Sequence, residues 1–172
     1  MKVLKKLQPR RGLLTDFYVW DIETTPINDE KDVEFIVAVI YSYDFIKVID
    51  NVDELKDEFT KDRYKNKYCF AHNAEFDLSV IYENIFYLDP KPIFSGSRFI
   101  SATNGNVYFA DSFNIFGYSA RKIGEQLGLA KSFKTEDYET AFSKLSKEEI
   151  IEGCQRDCEI IYEALLSYFD RS

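Results

Sequence analysis

Between Asp16 and Glu23 the chain reads DFYVWDIE, an apolar run that closes with two carboxylates two residues apart. A strand projects residues i and i+2 from one face, so Asp21 and Glu23 emerge together from a strand apolar enough at its centre to be buried. Charge in that setting is costly unless a partner or a metal compensates it. Acidic residues recur in two further apolar settings, Asp77 in HNAEFD and Asp157 in GCQRDCEII. Carboxylates are hard oxygen ligands. Four of them from three separated segments make a cage suited to two divalent cations, Mg²⁺ or Mn²⁺, and to a phosphodiester. Asp-x-Glu alone is a weak signal in a chain with 30 Asp and Glu residues, and its weight comes from the apolar setting and the other two clusters.

Strand and helix signals alternate along the chain, which predicts a single α/β domain over residues 1–172. Glu34 to Tyr43 and Phe45 to Asp50, rich in Val, Ile and Tyr, extend the first strand into an antiparallel meander. Asp53 to Tyr64 has a helical pattern, Tyr68 to Ala71 reads as a short buried strand that delivers Asn73, and Asp77 opens a helix to about Phe86. Phe94 to Ala102 and Asn106 to Asp111 flank the hairpin signal Thr103-Asn104-Gly105. Ser119 to Leu127 reads as a helix stopped by Gly128. The last helix starts at a capping box, Ser146 with Glu149, and carries Asp157 among apolar residues that recur every three or four positions to Phe169.

At 172 residues the chain can bury a substantial core, and 45% hydrophobic with 16% aromatic residues excludes a disordered one. The longest apolar run, Phe35 to Tyr41, is far shorter than the roughly 20 residues of a membrane span. The basic N-terminus lacks the apolar stretch of a signal peptide. These features predict an intracellular location without membrane association, which includes a cell hosting a virus or plasmid. Cys69, Cys154 and Cys158 then read as reduced thiols; zinc is the lesser reading, because no fourth ligand has suitable spacing. A net charge of −8 excludes broad affinity for duplex nucleic acid. It does not exclude a site where two divalent ions offset about four charges. Lys5, Lys6, Arg10 and Arg11, and later Lys131 with Lys134, then read either as contacts for a short single strand or as a solvated face.

The order and local sequence of the acidic clusters resemble the three motifs of the DEDD, or DnaQ-like, 3′–5′ exonucleases, above all the proofreading domain of protein-primed family B DNA polymerases. The D-x-E-T motif is matched by Asp21-Ile22-Glu23-Thr24, and (H)N-x-x-F-D by His72-Asn73-Ala74-Glu75-Phe76-Asp77. An intervening D-S segment is matched by Asp111-Ser112, and the likeness runs from about Tyr18 to Phe169. The third motif, Y-x-x-x-D, departs from the pattern. Gly153 stands four residues before Asp157, and Glu152 stands where a histidine variant of the superfamily has its His.

The resemblance implies a ribonuclease H-like fold, a central mixed five-stranded sheet flanked by helices. It implies two-metal hydrolysis of single-stranded DNA or frayed 3′ ends, releasing nucleoside 5′-monophosphates. Asp21 would bridge both metals, Glu23 and Asp157 would complete one, and Asp77 would hold the other through its water shell. Thr24, Asn73 and Phe76 match positions that contact the 3′-terminal nucleotides, although Phe76 reads equally as core. His72 reads as a hydrogen-bonded framework residue or as a contact near the scissile bond. Lys134 and Tyr138, in KTEDYET, loosely match a lysine and a tyrosine of a loop that touches the scissile phosphate. Tyr138 is therefore the candidate to replace the hydroxyl missing at Gly153. Two alternatives stand beside this reading. One is a non-catalytic module of the same fold that binds a 3′ end or a replication protein, favoured by Gly153. The other is an exoribonuclease, which uses the same cage and differs in receiving the 2′-hydroxyl.

Overall fold

The computed structural model describes residues 16–25, 33–129 and 144–171. Lys5, Lys6, Arg10, Arg11, Lys131, Lys134 and Tyr138 lie outside the described residues. Seven strands, β1 (Phe17–Thr24), β2 (Phe35–Ser42), β3 (Phe45–Ile49), β4 (Tyr68–Ala71), β5 (Ile93–Ser95), β6 (Arg98–Thr103) and β7 (Tyr108–Asp111), form one sheet. Their order is β3-β2-β1-β4-β7-β6-β5, with β1, β4 and β7 parallel and the other neighbours antiparallel. The described helices are α1 (Val52–Glu58), α2 (Ala74–Tyr82), α3 (Phe113–Phe116), α4 (Ala120–Leu127) and α5 (Lys147–Arg171). This is the mixed α/β arrangement expected from the sequence, with seven strands in place of five. The sequence itself reads as six extended runs, and the seventh strand comes from a division at Gly96, whose φ of 63° turns β5 back onto β6 so that Ser95 faces Arg98. A residue without Cβ adopts that backbone freely, so the run expected as one strand becomes a hairpin.

Alternation along β1 separates two cores. Tyr18, Trp20 and Ile22 pack with Leu55, Phe59, Leu78 and Phe109, on the side of α1 and α2. Phe17 and Val19 pack with Cys154, Cys158, Ile161 and Leu165 of α5. Trp20 is fully buried, with the rings of Phe59 and Phe109 centred 5.3 and 5.8 Å away. Burial of each large apolar side chain contributes about 1.5–3 kcal/mol, so both cores hold β1 against displacement.

Local chemistry sets the helix ends. At the capping box, Ser146 Oγ accepts from the Glu149 N–H (3.2 Å) and Glu149 Oε1 accepts from the Ser146 N–H (3.3 Å), as the sequence predicts. Gly128 closes α4 at φ 73°. The expected helix Asp53 to Tyr64 stops at Glu58 and resumes as a 3₁₀ turn at Asp62–Tyr64. Glu58 is the reason: buried, it accepts from Tyr64 Oη at 2.8 Å and pairs with Lys61 at 2.6 Å, which holds the chain in a turn. The helix α2 starts at Ala74, not Asp77, because Asn73 takes a left-handed φ of 75° as its N-cap. It ends at Tyr82 rather than Phe86, followed by Glu83 at φ 57°. Among the described residues, no helix is long and apolar enough to cross a membrane.

Candidate functional site

On β1, Asp21 and Glu23 continue the face of Phe17 and Val19, which α5 covers. The pairing of β1 with β2 slips between Glu23 and Thr24, so Thr24 lies opposite Phe35. Such bulges re-aim side chains at the ends of strands. The Thr25 N–H then donates to the Glu34 carbonyl (2.9 Å), while Thr25 Oγ1 accepts from the Glu34 N–H (2.9 Å).

From α5, Cys154, Asp157, Cys158 and Ile161 project at helical spacing onto this face. The Cys158 thiol donates to the Val39 carbonyl (3.6 Å), and the Cys154 thiol donates to the Asp21 carbonyl (3.4 Å) with Asp21 Oδ2 at 3.7 Å. Asp157 and Asp21 line a small cavity of about 90 Å³ with His72 and Ala120. A water needs roughly 10–15 Å³ of such space. The cavity therefore has room for ions and their water.

Asp77 reaches the same place from the first turn of α2. It is 4% exposed, and among the described residues its Oδ2 has no hydrogen-bond partner. Burial, with Glu23 and Asp111 nearby, pushes the Asp77 carboxyl well above its ordinary range. Burial, then the charges of Glu23, Asp77 and Asp157, does the same to Asp21. A hydrogen bond with Cys158, burial and the Asp21 charge hold the Cys154 thiol up as well. A buried polar atom without a partner calls for an explanation. Mutually repelling hard oxygens are what a divalent cation of the Mg²⁺ or Mn²⁺ kind would neutralise, so the donor set fits such an ion. Asp21, Glu23 and Cys154 each offer a ligand atom within 4.8 Å of the others.

The rim of the site is aromatic and polar. Asn73 is exposed, and its N–H donates to Asp111 Oδ1 (3.0 Å), which also accepts from the Phe113 N–H (2.9 Å). Asp111 thus fastens the entrance of α2 to α3. Ser112, fully buried, bonds His72 Nδ1 (2.9 Å) and the Ala71 carbonyl (3.2 Å). His72 Nε2 lies 2.6 Å from the Tyr118 carbonyl, so that nitrogen carries a proton. Both ring nitrogens are engaged, so His72 ties β4 to Ser112 and to the segment before α4. Phe76, Phe113 and Tyr118 are 36%, 46% and 47% exposed, so Phe76 is not core. The Lys122 ammonium sits 4.3 Å from the Tyr118 ring centre.

The structure therefore brings Asp21, Glu23, Asp77 and Asp157 into one electrostatic cluster, with Thr24, His72, Asn73 and Phe76 around it. Lys134 and Tyr138 lie outside the described residues. Arg156, the sequence neighbour of Asp157, pairs with Glu159 at 3.1 Å. Gly153 is buried one turn before Asp157. Sequence reasoning missed Cys154, Phe113 and Tyr118. The spacing of Cys154 three before Asp157 was the available signal, because that spacing puts both on one helix face.

No protein-family model and no curated protein matches this chain. Solved structures do. Phi29 DNA polymerase, in its ternary complex with primer-template DNA and incoming nucleotides, superposes with a TM-score of 0.68 at 20% identity. The match covers 89% of this chain and 30% of the polymerase. The same polymerase complexed with single-stranded DNA gives a TM-score of 0.65 at 19% identity, covering 89% of this chain and 31% of the other. This chain thus spans about a third of that polymerase's length, and the likeness is one of fold. It agrees with the mixed α/β architecture expected from the sequence.

Proposed function

We propose that this chain is a metal-dependent 3′–5′ exonuclease that acts on single-stranded DNA or frayed 3′ ends and releases nucleoside 5′-monophosphates, with residues 1–172 acting as one unit. The observation that carries the reading is the convergence of Asp21, Glu23, Asp77 and Asp157, in which the buried Asp77 Oδ2 has no hydrogen-bond partner among the described residues. Asp21, Glu23 and Asp157 would hold one divalent cation, and Asp21 with Asp77, the latter through the ion's water shell, would hold a second. Bound there, such ions supply an acidified water and charge for the leaving 3′-oxygen. The chain's own groups position the strand. The Thr24 hydroxyl and the Asn73 amide bond sugar or phosphate, and the exposed rings of Phe76, Phe113 and Tyr118 offer faces to bases. His72 keeps Asn73 and the segment before α4 in place. Lys134 is assigned to the scissile phosphate and Tyr138 to the proton of the attacking water.

DNA is favoured over RNA because the polymerase with this fold has been captured with primer-template and single-stranded DNA. A second reading, a module that binds a 3′ end or a replication protein without cutting, is favoured by the buried Gly153 in place of a hydroxyl. Labelled single-stranded DNA and RNA, incubated with the wild type and with Asp21→Ala in Mn²⁺ and in EDTA, separate these readings. Stepwise shortening of DNA from the 3′ end, lost in EDTA and in the variant, is expected. Shortening that persists in EDTA overturns the metal mechanism, and binding without shortening selects the module.

A further inference from the structure

The geometry points to a site for one thiophilic divalent cation, of the Zn²⁺ or Cd²⁺ class, held by the Cys154 sulfur together with the carboxylates of Asp21 and Glu23. This rests on the reading of those carboxylates as metal ligands. Cys154 Sγ and Asp21 Oδ2 are 3.7 Å apart. A tetrahedral ion with metal–oxygen and metal–sulfur bonds of about 2.1 and 2.3 Å separates an oxygen and a sulfur ligand by about 3.6 Å. The pair is already at that separation, and a Glu23 oxygen lies within 4.8 Å of both. A further, independent feature points to a cation at the same place. Asp77, 4% exposed, has an Oδ2 with no hydrogen-bond partner among the described residues and acts electrostatically on Asp21.

The other two thiols are placed differently. Cys158 Sγ is 3.6 Å from the Val39 carbonyl, and Cys69 belongs to the core on the opposite side of the sheet. The spacing of cysteines along the chain could not reveal the site, since its oxygens come from a strand some 130 residues earlier. On binding, the Cys154 S–H bond breaks, its proton passes to solvent, and a sulfur–metal bond forms; the ion remains divalent and nothing is oxidised. Mg²⁺ prefers oxygen and leaves the thiol untouched. The same centre therefore discriminates between hard and soft ions by whether Cys154 takes part.

Titration of the DNA-free chain with Cd²⁺ tests this through the ultraviolet sulfur-to-cadmium charge-transfer absorption, a readout independent of cleavage. The wild type should develop the band, saturating at one Cd²⁺ per chain, while Mg²⁺ produces none. Cys154→Ser should abolish it. Asp21→Asn, which keeps all three thiols, should need about 10- to 100-fold more Cd²⁺, the range typical for loss of a supporting metal contact. Circular dichroism on each variant establishes that it is folded. Absence of the band in the wild type, its survival in Cys154→Ser, or an unchanged Cd²⁺ requirement in Asp21→Asn overturns the proposal. A chain that shows the band but degrades no strand would refute the exonuclease reading and leave this one standing.

Discussion

Replacing Asp77 by asparagine should stabilise the metal-free protein and weaken its response to metal. Asp77 is 4% exposed and one of its oxygens has no hydrogen-bond partner among the described residues. A buried polar group in that state costs about 1–3 kcal/mol, more when it is charged, and an amide of the same shape removes the charge that faces Glu23 and Asp111. In a domain of 150–250 residues 1 kcal/mol shifts Tm by about 2–4 °C, so Asp77→Asn should melt about 2–12 °C higher than the wild type in EDTA at pH 7. Mn²⁺ at a hundred times its Kd adds about 2.7 kcal/mol to the wild type. The variant, short of one carboxylate, gains less, so the difference narrows or reverses. The pH dependence has a definite sign. Burial, Glu23 and Asp111 hold the folded carboxyl above its ordinary value of 3.8. The unfolded chain therefore ionises first, and wild-type stability falls as pH rises from 3.8 through the folded pKa. The advantage of the variant in EDTA should be absent near pH 3.8 and complete above the folded pKa. Scanning calorimetry in EDTA and in Mn²⁺ across pH measures this. A variant that melts below the wild type in EDTA at pH 7, or that responds equally to Mn²⁺, refutes the account of Asp77.

Asp21→Ala should reduce strand degradation by several orders of magnitude, and adding Glu23→Ala should cost little more, since ligands of one site act as a unit; nucleotide release from a labelled strand reads both. Phe76→Ala removes a ring that is 36% exposed. Its stability should stay within about 0.5 kcal/mol of wild type, while single-strand affinity falls about 5- to 150-fold through loss of 1–3 kcal/mol of stacking; the reverse pattern in urea melts and anisotropy would make the residue core after all. Gly153→Tyr should destabilise by about 1–3 kcal/mol, because a buried position must accept a large ring, and an unchanged melting temperature would show that room for the hydroxyl exists. Single-strand binding itself should require divalent metal in a chain of net charge −8. The strand should tighten Mn²⁺ binding by the same factor that Mn²⁺ tightens the strand, and equal affinity in EDTA would contradict this.

Much of the fold is legible in the sequence where local and tertiary preferences agree. The first four strands are read to within one residue at either end, because apolar β-branched and aromatic runs there are bounded by polar turns. The hairpin at Gly96 is hidden because a lone glycine in a strand pattern signals a bulge as readily as a turn. In HNAEFD the acidic residue looks like the helix cap, yet Asn73 takes that role through a left-handed backbone and lets the helix start three residues sooner. That shift sends Asp77 inward as a buried carboxylate instead of outward to satisfy backbone N–H groups.

The site was less legible than its motifs, and the reason is where it sits. Asp21 and Glu23 lie towards the C-terminal end of β1, Asp77 just beyond that of β4, and Asp111 at the end of β7, three parallel neighbours in the sheet. At the carboxyl ends of such strands the layers on both faces of a sheet can reach a common point. Here α2 contributes from one face and α5 from the other. Each motif can be read along its own segment, but the meeting of β1 with α5 is a tertiary fact, and only that meeting sets the Cys154 thiol beside Asp21. Five carboxylates, counting Asp111, gather there, and burial penalises the charged forms of Asp21 and Asp77. Two packed cores hold β1 in place against that repulsion, and a violation of local stability so sustained by its surroundings is the pattern expected of a site built for charge that arrives from outside.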